Sequence, residues 1–222
     1  MCGKFTQLAS WQEVHAFSQP LVEKAPADET VTSTPMRLAK VMRLNSDGAR
    51  ELAPMRWGFA DRKSATPLQR PKHMHARAET IHKLPTFRQA FSERRGILMV
   101  HTFNEGEEVG GRTKQWIITP NDGQPIAIAV ICEQWINGPE VLDTFVQVTV
   151  PANTLISRIT DRMPAILPRA DWTTWLGETG ASPADVKSLL RTFEDGGNWT
   201  MAEQQPARRA ARPKASRQER LF

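Results

Sequence analysis

The apolar run at residues 126–132 (IAIAVIC) limits the folds open to this chain more than any other feature. It is rich in β-branched residues and short, so it reads as a buried strand, with Cys132 inside it. Asn121-Asp122-Gly123 separates it from the apolar run 115–119, and such a turn between two apolar runs predicts a hairpin. Residues 97–103 and 144–150 read as further strands of a β-rich centre. Residues 3–8 read as a short strand, and 30–60 as several strands with a turn at Asn45-Ser46-Asp47-Gly48. The polar, Pro-interrupted stretch 58–74 reads as a loop. Helices are expected at 10–19, opened by Ser10, and at 85–94, where Phe87 and Phe91 share a face at i,i+4 spacing. Two more are expected at 170–175 and at 183–193, the last capped by Ser182. The expectation is one α+β domain over residues 2–201, with a curved, largely antiparallel, barrel-like β core and peripheral helices.

Length and composition allow one sizeable core, since 40% of the 222 residues are hydrophobic. No apolar run approaches 18 residues, and no basic-then-apolar leader opens the chain, so a membrane span and a signal peptide are not expected. The two cysteines, Cys2 and Cys132, make neither a disulfide framework nor a metal site. A cytoplasmic, monomeric protein is expected, nucleoid-associated if bacterial. Residues 207–222 carry six basic side chains and one acidic one, which is the whole formal charge of +5. The segment from 202 onward reads as a disordered basic tail that adds non-specific affinity for nucleic acid. Residues 37–88 hold twelve Lys or Arg against four Asp or Glu, a candidate positive strip for a phosphate backbone.

The chain begins Met1-Cys2-Gly3. Loss of Met1 leaves Cys2 with a free amine and a thiol on adjacent carbons. The amine titrates at roughly 7.7–8.0 and the thiol at about 8.5, so both are usable near neutrality. Such a 1,2-aminothiol condenses with an aldehyde and closes to a five-membered thiazolidine. Downstream lie Arg56-Trp57-Gly58-Phe59, Ala76-Arg77-Ala78-Glu79-Thr80, Pro85-Thr86-Phe87-Arg88, Arg94-Arg95, Ala152-Asn153 and Asp161-Arg162-Met163-Pro164.

In this order and at these spacings, over roughly residues 2–176, the chain resembles the SRAP (SOS response-associated peptidase) family. The resemblance implies a DNA-damage role: single-stranded or gapped DNA as partner, abasic sites shielded as a thiazolidine on Cys2, and no cofactor. It also implies that the N-terminus lies in a cleft across the core. A weak lyase activity and self-processing that exposes Cys2 belong to the same picture, whereas general proteolysis does not, for want of a Ser/His/Asp or Cys/His/Asn set.

Glu105 corresponds to the family's catalytic glutamate, a carboxylate able to act as acid and base in turn, with Glu107 the competing choice. Arg77 corresponds to its phosphate clamp, with a salt bridge to Glu79 as the alternative. Lys4 and Arg162 are further DNA-contact candidates. Trp57 and Phe59 offer bases a stacking face, with core packing an equal alternative for Trp57. Trp116, Trp172 and Trp175 read as core. Three departures stand out: His75 replaces the family's Asn, Thr160 replaces its His, and residues 99–106 lose its turn and final Trp. His75 and Thr160 therefore either preserve catalysis by rearrangement or mark a non-covalent single-strand-binding module. His73 and His75 alternate as on a strand, but no third ligand makes them a metal site.

Overall fold

The computed structural model describes residues 3–7, 11–21, 31–60, 66 and 73–205. Cys2, Ser10, most of the loop at 61–72 and the segment 206–222 lie outside the described residues. Strands are β1 (Lys4–Gln7), β2 (Val31–Ser33), β3 (Leu38–Leu44), β4 (Arg50–Trp57), β5 (His75–Arg77) and β6 (Arg95–Val100). They continue with β7 (Thr102–Val109), β8 (Arg112–Pro120), β9 (Ile126–Asn137), β10 (Glu140–Pro151), β11 (Arg162–Pro164) and β12 (Trp199–Glu203). Among the described residues four short α-helices accompany them: α1 (Trp11–Ser18), α2 (Arg88–Glu93), α3 (Trp172–Leu176) and α4 (Pro183–Ser188).

One sheet is wholly antiparallel, in the order β12-β8-β7-β1-β2. The other runs β10-β4-β3-β6-β9 and closes on itself through β9–β10, which makes a five-stranded barrel. Its only parallel pairings among the described residues are those of β10 with β4 and β5. The expected α+β, barrel-like architecture is therefore present. β9 is buried on both faces over its first eight residues, which explains its unbroken apolar run. Where β6 crosses β3 and β9 the backbones pack closely. A Cβ on Gly96 would lie 2.7 Å from Val41 Cγ1 and 2.9 Å from the Met42 carbonyl oxygen.

β10 changes partners along its length. Its first part pairs with β9 and touches β4 at Thr144 and Phe145. From Gln147 it pairs with β5 and, from Thr149, with β11. Segments carrying His75, Arg77 and Arg162 are thereby assembled around one strand end.

Several local expectations hold. Ser182 caps α4 in a capping box with Asp185. Phe87 and Phe91 are both buried, although α2 starts only at Arg88. Others need correcting. Residues 121–123 turn the chain, but β8 and β9 do not pair; they belong to different sheets. A hairpin forms instead at Gly138-Pro139, between β9 and β10. The strand expected at 97–103 is two strands, broken at His101, where the chain leaves the barrel for the other sheet. The helix expected at 183–193 ends at Ser188. β12 reaches Glu203, past the boundary expected at residue 202.

Candidate functional site

The N-terminal strand builds one side of the site. β1 pairs antiparallel with β7, with Lys4 opposite Asn104 and Phe5 opposite Phe103. The start of β1 therefore runs toward the Glu105 end of β7. Side chains alternate on a strand, so Phe103, Glu105 and Glu107 share a face. Trp116 of β8 lies opposite Glu105, and Ile118 opposite Phe103. Glu105 is fully buried. Glu107 is half-buried and accepts a hydrogen bond from Trp116 Nε1 at 2.9 Å. These acids sit on a strand; only the Gly110-Gly111 end is a turn.

Lys4 is half-buried, and its Nζ lies 3.5 Å from Gln204 Oε1. The same oxygen accepts from Asn104 Nδ2 at 3.0 Å. Asn104 and Gln204 were not singled out from sequence. Asn104 could have been found from its place in Phe103-Asn104-Glu105. Gln204, 200 positions from Lys4, carries no local signal.

A second wall comes from the barrel. Trp57 is fully buried, its ring 5.1 Å from Phe5, 6.4 Å from Phe145 and 5.8 Å from His75 (centroid distances). Its Nε1 donates to the Met74 carbonyl at 3.0 Å. This ring column links β1 to β5. His75 is half-buried at its end, and Arg77, two residues on, is exposed. Thr160, half-exposed, sits between a short 3-10 turn (Ile156–Arg158) and β11, its N–H bonded to the Ile156 carbonyl at 3.1 Å. Lys4 and Glu105 thus lie on the neighbouring strands β1 and β7, but Lys4 shares the face of its partner Asn104 and Glu105 faces the other way. His75, Arg77 and Thr160 gather around the end of β10.

The structure corrects three assignments. Trp57 is 0% exposed and Phe59 4%, the latter packed edge-on against Phe87 at 5.3 Å, so neither offers a base a stacking face. Arg162 is buried and forms a bidentate pair with Glu79 at 2.6 and 3.0 Å. It also donates to the Thr149 carbonyl at 2.6 Å. It is thus a brace for β5, β10 and β11 and not a DNA contact. That pair also takes the carboxylate expected to hold Arg77. The Arg77 guanidinium has no carboxylate partner among the described residues. Trp116 is half-buried at the site and not in the core, whereas Trp172 and Trp175 are buried.

Other motif residues are structural. Arg94 pairs with Glu93 and Glu133, and Arg95 donates to the carbonyls of Phe91, Ser92 and Trp175. Asn153 accepts from the Ile156 N–H and donates to Asp195 and to the Phe193 carbonyl. The basic strip is partly consumed in the same way. Arg43 and Arg50 are held by carboxylates and Arg56 is buried, and among the described residues of the strip Arg37, Arg77, Lys83 and Arg88 are exposed.

Hydrogen bonding from Arg162, more than any other cause, holds the Glu79 carboxyl below the usual carboxylate range. Burial pushes the Cys132 thiol up to about 12, with the nearby Arg43 charge offsetting part of the effect. Cys132 is thereby protonated and inert at neutral pH. Among the described residues no three His, Cys, Asp or Glu side chains are grouped to hold a metal ion, and no helix is long and apolar enough to cross a membrane.

A family model described as SOS response associated peptidase (SRAP) matches residues 1–205. Abasic site processing protein YoqW of Bacillus subtilis (strain 168) is 28% identical over 203 residues, covering 87% of this chain and 88% of that protein. Abasic site processing protein YobE of the same organism is 27% identical, covering 87% and 90%. A crystal structure of a protein from Bacteroides thetaiotaomicron matches with a TM-score of 0.77 at 24% identity, covering 92% of each chain. One from Bordetella bronchiseptica matches at 0.76 and 23%, covering 92% of this chain and all of that one. These two likenesses concern the fold.

Proposed function

Since the chain belongs to the SRAP family, we propose that it processes abasic sites in DNA, the activity for which its Bacillus relatives are named. The reading rests above all on a family match that starts at residue 1 and so includes Cys2. The β1–β7 register supports it, because it directs the start of the chain toward a buried carboxylate, Glu105.

In this reading Met1 is removed, by self-processing or otherwise. The Cys2 amine condenses with the aldehyde of the ring-opened sugar, forming an imine and releasing one water. The thiol then adds across the C=N bond. Sulfur bonds to carbon, the thiol proton passes to nitrogen, and a thiazolidine closes without oxidant or reductant. Glu105 protonates the departing hydroxyl and accepts a proton from the amine in turn. Lys4 and Arg77 hold flanking phosphates, Arg77 by its exposed guanidinium. Thr160 hydrogen-bonds the sugar but cannot titrate near neutrality, so strand cleavage is slow relative to trapping. His75 supplies an imidazole from the β5 side. The partner is single-stranded or gapped DNA, bound by a monomer.

The Thr160 and His75 departures favour one alternative, a module that binds single strands without the covalent step. Denaturing electrophoresis after incubation with abasic single-stranded DNA separates the two. A denaturant-resistant adduct, absent in Cys2→Ala, supports trapping. Equal yield from both proteins, or no adduct with binding retained, overturns it.

A further inference from the structure

Gln147, in the middle of β10, is a polar side chain that the fold buries without satisfying. It is 0% exposed, and neither its amide oxygen nor its amide nitrogen has a hydrogen-bond partner among the described residues. Native proteins pair nearly all such groups, because a buried amide without a partner keeps the full cost of leaving water. An apolar side chain of similar size would fill the same space without that cost.

The strand register ties this amide to the site. Alternate side chains on a strand share a face, so Gln147 shares one with Phe145 and Thr149. Phe145 stacks on Trp57, and the Trp57 ring in turn meets Phe5 and His75. Gln147 is in register with His75 across the β10–β5 pair. On the other side, Phe5 is opposite Phe103, which shares its face of β7 with Glu105. The column of rings therefore links two buried polar groups, Glu105 on the β7 side and Gln147 beside His75 on the barrel side.

The chemistry of an amide narrows what it would bind. A phosphate calls for a cation, whereas an uncharged group that donates and accepts side by side matches a hydroxyl. Abasic deoxyribose differs from an intact nucleotide in carrying an oxygen at C1′. That oxygen is a hydroxyl in the closed sugar and an aldehyde oxygen in the open one. The Gln147 N–H can donate to it in both forms, and the Gln147 carbonyl can accept the hydroxyl proton in the closed form. We infer that Gln147 is a specificity residue that recognises the C1′ oxygen of abasic deoxyribose. This rests on the reading above for the identity of the ligand, but not on the Cys2 chemistry.

The experiment compares Cys2→Ala with Cys2→Ala/Gln147→Leu, so that no adduct through Cys2 complicates binding. Affinity is measured for single-stranded oligonucleotides of one sequence that carry a natural abasic site, its tetrahydrofuran analogue, which lacks the C1′ oxygen, or no damage. Cys2→Ala should prefer the natural site over the analogue by about 3–10-fold, the worth of a hydrogen-bonded hydroxyl. Gln147→Leu should abolish that preference and leave binding to the other two oligonucleotides unchanged. Because leucine removes an unpartnered amide, the variant should also melt about 2–8 °C higher without DNA. Gln147→Met, closer in shape, should behave alike. A preference that survives both substitutions overturns the assignment, as does its absence from Cys2→Ala. Equal loss of affinity for all three oligonucleotides, or a lower Tm in both variants, also overturns it, because the amide would then be serving the fold. Adduct formation by protein with Cys2 intact is followed in parallel; its absence would refute trapping and leave this comparison standing.

Discussion

Arg77 and Arg162 lie in neighbouring motifs, and their environments predict opposite phenotypes. Arg162→Met removes two charge-assisted hydrogen bonds to Glu79 and one to the Thr149 carbonyl from a buried site. Nearly half of the Glu79 side chain is exposed (48%), so water screens that pair and its two bonds count for ~0.5–1 kcal/mol each. With the bond to the buried carbonyl, the loss comes to about 2–3 kcal/mol, or roughly a 5–10 °C fall in Tm for a domain of this size. Arg77→Ala removes an exposed side chain without a carboxylate partner among the described residues, so its Tm should stay within about 2 °C.

Binding to undamaged single-stranded DNA should reverse the order. Arg77→Ala should flatten the log–log salt slope by about 0.7 for each phosphate that the guanidinium neutralises, while folded Arg162→Met should keep the wild-type slope. The pH dependence adds a check. The folded-state pKa of Glu79 is depressed, chiefly by the Arg162 bonds, so the pair's contribution is full above the unfolded carboxyl value of about 4.3. It is lost as pH falls through the lower folded value, and the Tm gap between wild type and Arg162→Met should narrow there. An Arg162→Met protein with unchanged Tm and a flattened salt slope would refute this reasoning, because Arg162 would then be leaving Glu79 for phosphate.

Thiol alkylation of the native protein at pH 7–8 should label Cys2 and spare Cys132, whose thiol titrates at about 12; mass mapping that finds Cys132 modified in folded protein contradicts its burial. Trp57→Ala should cost about 3–5 kcal/mol in denaturant unfolding, because the ring is fully buried; a loss confined to DNA affinity would restore the stacking role. Glu105→Gln should slow single-turnover adduct formation by about 10²-fold or more. Thr160→His should speed it if the site has decayed, whereas a severe defect in His75→Asn that is rescued in the double variant would mean that His75 already does the work. No change in any of these variants would argue for the non-covalent module.

Much of the β framework was legible because burial on both faces leaves runs of apolar residues, as in β9. The Ser182 cap and the Phe87/Phe91 face were legible for a similar reason, since their chemistry is local. Pairing was not. A turn sequence such as Asn121-Asp122-Gly123 specifies a change of direction, but the edges of β8 are taken by β7 and β12, and β9 pairs with β6 and β10. The break at His101 is invisible for the same reason, because an apolar strand reads alike in either sheet. Arg162 illustrates the limit for charges. Its residue type suits a phosphate, and only tertiary packing brings Glu79, 83 positions away, into bidentate contact. The spacing of Phe103-Asn104-Glu105 pointed to Glu105. The Gln204 bridge joins the two ends of the described chain, and no window of sequence contains it.

The central claim is that Cys2 forms a thiazolidine, and intact mass of the DNA adduct tests it most directly. The account predicts a species equal to the protein without Met1 plus the abasic oligonucleotide less one water, unchanged by borohydride and absent from Cys2→Ala. A conjugate that gains two hydrogens on borohydride treatment is an open imine and contradicts ring closure. One that retains Met1, or that maps to a lysine, contradicts the role of Cys2.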